Sequence, residues 1–221
     1  EHRAEILSGS GRQLLLSALR AYPRDAQVQG YCCAALGNLA GDGGDSQDSE
    51  YQASVAALGG LDLVIAAIRS HTEAVQVQER GLAALWRLIR NNQSCSASAA
   101  ALGGTDLVVC ALRMHDSSPR VQAYGLASLR WLVQDNAAEA AKLASLSGAE
   151  LVLEALRGHP AAAVQECGCA LLRQLAWSPE GRARIVQLGG AELVVQAMRT
   201  HPSLLPVQAF GCAVVQCLTS A

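Results

Sequence analysis

VQERGLAALWRL (Val77–Leu88) has the spacing of an amphipathic helix, and the chain writes it five times. Near copies are VQGYCCAALGNL from Val28, VQAYGLASLRWL from Val121, VQECGCALLRQL from Val164 and VQAFGCAVVQCL from Val207. Successive Val-Gln anchors stand 49, 44, 43 and 43 residues apart. A period in the forties is the signature of a helical solenoid. Leu39, Leu88, Leu132, Leu175 and Leu218 share one position, and Leu36, Leu85, Leu129, Leu172 and Val215 share another three residues earlier. That spacing puts both sets on one helical face. Gly81, Gly125, Gly168 and Gly211 recur mid-helix, with Cys32 in the first copy. A helical glycine costs about 1 kcal/mol against alanine, so its recurrence predicts a helix crossing too tight for a side chain.

A second pattern precedes each anchor. GGLDLVIAAIRSH (Gly59–His71), GGTDLVVCALRMH (Gly103–His115), SGAELVLEALRGH (Ser147–His159) and GGAELVVQAMRTH (Gly189–His201) align, with SGRQLLLSALRAY (Ser10–Tyr22) as a degenerate first copy. Before these come short apolar segments such as SVAAL, SAAAL and ARIVQL. Each unit therefore reads as short helix, glycine turn, helix, short loop and longer helix. Asp62, Asp106, Glu150 and Glu192 open the second helix, and Arg69, Arg113, Arg157 and Arg199 close it, both complementing the helix dipole. Pro160 and Pro202 follow as stop signals.

The three-helix unit with a Gly-Gly turn and a third helix of the form VQ…AL…L resembles the armadillo repeat, over essentially the whole chain. The resemblance implies an all-α fold, a right-handed armadillo-type solenoid of three-helix repeats at about 1–50, 51–94, 95–137, 138–180 and 181–221. These form one domain, 1–221, expected to be part of a longer protein that begins before Glu1. HEAT repeats are the neighbouring alternative, lacking the short helix and the Gly-Gly turn.

The resemblance also implies a groove lined by third helices that receives a peptide or protein surface. Importin-like members clamp their ligand with a Trp and, four residues on, an Asn. The matching positions here hold Ala34, Ala83, Ala127, Ala170 and Ala213, then Asn38, Arg87, Trp131, Gln174 and Cys217. Only Asn38 fits, so a nuclear-localisation signal is not the expected ligand. The expected groove residues are Tyr31, Asn38, Arg80, Arg87, Tyr124, Trp131, Gln174 and Phe210, with Arg130 and Arg173 reaching its rim. Aromatic and arginine side chains are the usual interface anchors, and a guanidinium pairs with carboxylate or phosphate. The expected partner therefore carries acidic and apolar groups and engages mainly the second and third repeats.

The 221 residues are 51% hydrophobic but 4% aromatic, so the core is Ala, Leu, Val and Ile. A net charge of −2 argues against a nucleic-acid binder. No apolar run approaches a membrane span. None of the eight cysteines forms a CxxC pair, and most fall on predicted helices as small apolar residues. Cytosol, or else nucleus, is the expected compartment. His71, His115, His159 and His201 recur at one repeat position and His2 stands apart; equivalent sites one repeat apart are too distant to share a metal ion, so helix-end capping is expected. The acidic stretch GDGGDSQDSE (Gly41–Glu50) lacks calcium-loop spacing and reads as a solvated, mobile loop. No nucleophile has a base partner, so neither catalytic residue, metal nor cofactor is expected.

Two functions remain after this reading. One is a non-enzymatic scaffold that binds a partner in the groove. The other is a structural spacer or assembly element that works through its ends or convex face, self-association of terminal repeats included.

Overall fold

A computed structural model describes residues 9–41 and 46–220; His2, Asp42 and Asp45 lie outside the described residues. Among the described residues every regular element is an α-helix. In chain order they are α1 (Gly9–Ala21), α2 (Ala26–Leu39), α3 (Ser46–Ala57), α4 (Gly60–Ser70), α5 (Val75–Ile89), α6 (Gln93–Ala101) and α7 (Gly104–Met114). There follow α8 (Pro119–Val133), α9 (Ala137–Ser145), α10 (Gly148–Gly158), α11 (Ala162–Leu175), α12 (Pro179–Gln187), α13 (Gly190–Thr200) and α14 (Leu205–Thr219). The backbone divides into two compact units, Glu1–Met114 and His115–Ala221. In the first, the long helices α2 and α5 pack side by side; in the second, α11 packs between α8 and α14.

The glycine turns set the angle between short and second helices. Helix α3 meets α4 at 74° and α6 meets α7 at 75°. Gly59, Gly103 and Gly189 take φ of 75°, 78° and 73°, a left-handed conformation open to glycine at little cost. The following glycine serves closeness: a Cβ on Gly60 would stand 2.3 Å from Val55 Cγ1. Ser147 occupies the first-glycine position of its repeat with φ 58°, a left-handed backbone that here carries a side chain.

The long helices bury the leucines that the periodicity selects. Leu36, Leu85, Leu129 and Leu172 are fully enclosed. Each such burial stabilises by about 1.5–3 kcal/mol. The mid-helix glycines mark tight crossings as expected: a Cβ on Gly81, Gly168 or Gly211 would fall 2.5 Å from Ile68, 2.6 Å from Leu156 or 2.6 Å from Met198.

Three polar rows lock the helices together. The glutamine after each anchor valine turns back to the preceding helix end. Gln78 Nε2 donates to the Ile68 and His71 carbonyls at 2.7 and 2.9 Å, and Gln29, Gln165 and Gln208 each do the same to their own pair. These are carbonyls that a helix leaves without an internal partner. The arginines closing the second helices do more than complement their own dipole. Arg20, Arg69 and Arg157 donate to the carbonyls of Leu58, Leu102 and Leu188, at the end of the next repeat's short helix, at 2.7–2.8 Å. The histidines reach the other way. His71, His159 and His201 sit at helix C-caps, and their Nε2 atoms, protonated in the tautomer that donates, meet the carbonyls of Pro23, Asp116 and Pro160.

Two expectations are corrected. The acidic stretch is not a loop throughout: from Ser46 it is the first turns of α3, and Asp48 is buried there. An acid in a first turn meets the positive end of the helix dipole, which explains its place. The cysteines also divide. Cys32, Cys33, Cys95 and Cys169 are buried, but Cys110 and Cys212 are exposed. Cys110 lies on the solvent face of α7, where the equivalent residues are Ala66, Glu154 and Gln196. No single described helix is long and apolar enough to cross a membrane.

Candidate protein-binding faces

In the first unit the third-helix face is built from α2 and α5. Tyr31 is 62% exposed, and the Arg80 guanidinium stacks 4.4 Å from its ring centre. Seven residues on, one row further along the helices, Arg87 Nη1 donates to Asn38 Oδ1 at 2.7 Å. Trp86, a residue that sequence reasoning passed over, lies between Arg87 and Arg90, at 5.8 and 5.4 Å. The end of α5 is held from behind. Buried Gln52 on α3 donates to the carbonyls of Arg87 and Arg90 and accepts from Asn92. The three cations are thus presented from a fixed backbone, on aromatic or amide supports that cost little entropy to keep in place.

In the second unit α8, α11 and α14 build the equivalent face. Arg130 lies 5.2 Å from the Trp131 ring and 4.9 Å from Phe210; Arg173 approaches the same Phe210 ring at 5.9 Å. Phe210 therefore gathers two guanidiniums from two different repeats. Arg130 and Arg173, expected at the groove rim, are both half-buried. Buried Arg173 Nε and Gln174 Oε1 have no hydrogen-bond partner. Cys167 sits in this cluster. Burial pushes its thiol up to about 12, Glu166 adds to the rise, and Arg130 opposes it. The same burial raises Cys169 to about 12. At neutral pH both are thiols, with no thiolate available as a nucleophile. Tyr124 is half-buried on α8.

The residues expected in the groove thus fall into two clusters, one per unit: Tyr31, Asn38, Arg80 and Arg87 in the first, and Arg130, Trp131, Arg173 and Phe210 in the second. The alanines at the matching Trp positions do not all face open space; Ala127 and Ala170 are buried. The third helices carry Arg80, Arg87, Arg120, Arg130 and Arg173 against Glu79 and Glu166, within a chain of net charge −2. Among the described residues no group of three or more His, Cys, Asp or Glu side chains is placed to hold a metal ion.

No family model matches the chain. Over 97 residues, 42% of this chain, it is 34% identical to the protein aardvark of Dictyostelium discoideum. The match spans 13% of that protein's length. Two engineered proteins with crystal structures from the Northeast Structural Genomics Consortium have similar folds. One has a TM-score of 0.78 at 19% identity, covering 98% of this chain and 82% of its own. The other has a TM-score of 0.78 at 22% identity, covering 100% and 90%. At these identities the likeness concerns the fold: an all-helical, repeat-like chain.

Proposed function

We propose that this chain is a non-enzymatic protein-binding scaffold, one array of five armadillo-type repeats forming a right-handed solenoid. Its ligand is a peptide or protein segment with acidic and apolar groups, met in the first unit by Arg80 and Arg87 beside Tyr31, and in the second by Arg130 and Arg173 beside Tyr124, Trp131 and Phe210. The proposed compartment is the cytoplasm or nucleus. The observation that carries this reading is the layer of arginines mounted on aromatic rings and Asn38, in a chain that is otherwise acidic. A guanidinium already stacked and desolvated on one face offers its edge to a carboxylate at reduced ordering cost. The aromatic rings supply apolar contact area of the type that dominates interface energetics. Repeat arrays offer such extended surfaces generally.

The test is partner capture from source-cell lysate, read by mass spectrometry, with the chain as it stands and with two charge-reversed forms. One form carries Arg80→Glu and Arg87→Glu, the other Arg130→Glu and Arg173→Glu. Circular dichroism first establishes equal helicity. Each reversal is expected to weaken capture of the same partner by about tenfold or more. Retention of every partner by both forms would overturn the reading.

A further inference from the structure

Two side-chain bridges join α2 to α5 on the face of the first unit, and they stand in register. Arg80 stacks on Tyr31, and seven residues further along both helices Arg87 Nη1 donates to Asn38 Oδ1 at 2.7 Å. At a helical rise of about 1.5 Å per residue, the two bridges are roughly 10 Å apart. Between them, three residues after Tyr31 and three after Arg80, come Ala34 and Ala83, both half-buried. Positions spaced in this way lie along one helical stripe, so the alanines are a floor between two walls. The helices meet closely at this seam: a Cβ on Gly37 would stand 3.0 Å from the Ala84 Cα.

Neither guanidinium is used up by the fold. Arg80 lies against Gly30 of α2, where a Cβ would stand 3.1 Å from Nη1, so the glycine makes room for it. The Tyr31 ring takes up one face of the group. Among the described residues Arg80 has neither a hydrogen-bond acceptor nor an anionic partner. Arg87 gives Nη1 to Asn38, and its buried Nε has no partner. Most of the N–H donors of both groups remain for a ligand, and a carboxylate is the acceptor that matches a guanidinium in charge and shape.

The space between the walls selects the backbone of the ligand. An α-helix is about 10–12 Å across and overfills a gap whose walls are centred roughly 10 Å apart; an extended chain, which packs sideways at about 4.8 Å, fits. In an extended chain successive side chains point to opposite sides. With such a chain lying across α2 and α5, one residue turns to the Arg80 wall and the next to the Arg87 wall. We infer, on the protein-binding reading proposed above, that the first unit takes an extended segment with two adjacent acidic residues. One carboxylate lies on Arg80, the other on Arg87, and the backbone runs over Ala34 and Ala83.

The test titrates the whole chain into a pair of fluorescein-labelled peptides of about ten residues, followed by fluorescence anisotropy. Both consist of Ser and Thr with a pair of glutamates, adjacent in one peptide and separated by a single residue in the other. Net charge is then equal, and only the side to which the second carboxylate points differs. The adjacent pair is expected to bind about fivefold or more tightly. Arg80→Glu or Arg87→Glu should each bring it down to the level of the separated pair or below. Ala83→Leu should block it with both cations intact, circular dichroism establishing that all these variants keep their helicity. Equal affinity for the two peptides would overturn the inference. So would unchanged binding of the adjacent pair by any of these variants, or no binding of either peptide up to about 1 mM. Equal binding of both peptides that is lost when both arginines are reversed leaves the acidic-ligand reading standing and removes only the crossing. Partner capture retained by both charge-reversed forms removes that reading itself.

Discussion

Gln78 and Arg80 stand two residues apart on α5 and belong to two different regions of the repeat. Gln78 is buried and gives both amide hydrogens to carbonyls of the preceding helix. Its counterparts Gln29, Gln165 and Gln208 do so with the same geometry. Arg80 faces outward on Tyr31, and its counterparts are Tyr31, Tyr124, Cys167 and Phe210, so the position passes between aromatic ring, guanidinium and thiol. The inner row answers to backbone, which is the same in every repeat, so its residue does not change. The outer row answers to solvent and to whatever docks there, so nothing in the scaffold holds it to one residue. Repetition marks the structure and drift marks the surface available for recognition.

That contrast can be broken from the inside first. Leu85→Ala, in the enclosed layer of α5, is expected to lower unfolding free energy by about 2–5 kcal/mol in chemical denaturation. Gln165→Leu comes next. It strands the carbonyls of Leu156 and His159 in a buried site and should cost about 1–3 kcal/mol. A loss below that of an average surface substitution would show the glutamine row to be dispensable. Ser147→Gly acts with the opposite sign. It restores glycine at a left-handed position and should raise stability by about 1 kcal/mol. Asn38→Ala belongs to the outer row. Removing the exposed acceptor of Arg87 is expected to change stability by less than about 0.5 kcal/mol while weakening partner capture.

The smallest effect concerns the pair of Arg184 on α12 and Glu150 on α10. Partial burial works to raise the Glu150 pKa, but a backbone hydrogen bond and Arg184 outweigh it and set the carboxyl below its ordinary value. A depressed folded pKa means that the stabilisation is present above the unfolded pKa and is lost as pH falls through the folded one. Arg184→Ala should therefore lower the midpoint slightly at neutral pH and not at all in acid, as thermal melts across pH would show.

The sequence was legible where one residue type solves one backbone problem many times. The anchor valines, the leucine pairs, the glycine turns and the helix order were all read from period alone and stand in the structure. The partners of the polar rows were not legible. His71 and Arg69 sit two residues apart, yet one bonds back to Pro23 and the other forward to Leu102, and no pattern in a single strand of letters carries that direction. The face residues were singled out because they drift. Their grouping was not, since the meeting of Arg130 and Arg173 on Phe210 depends on side chains from three helices. Asp48 misled for a simpler reason: an acidic, glycine-containing run reads as a loop unless the helix dipole is allowed to claim its second half.

The arginine and histidine rows have a consequence for how such a chain can grow. Arg20, Arg69 and Arg157 each offer a cation to the repeat after, His71, His159 and His201 each offer an imidazole to the repeat before, and all land on main-chain oxygen. Main-chain oxygen is supplied by any residue. A stretch of coding sequence one period long, copied in frame, brings its own donors and finds acceptors already waiting on either side. The joints need no co-evolving pair of side chains to be matched afresh, so the length of the array is open to change by duplication while the outer rows diversify independently.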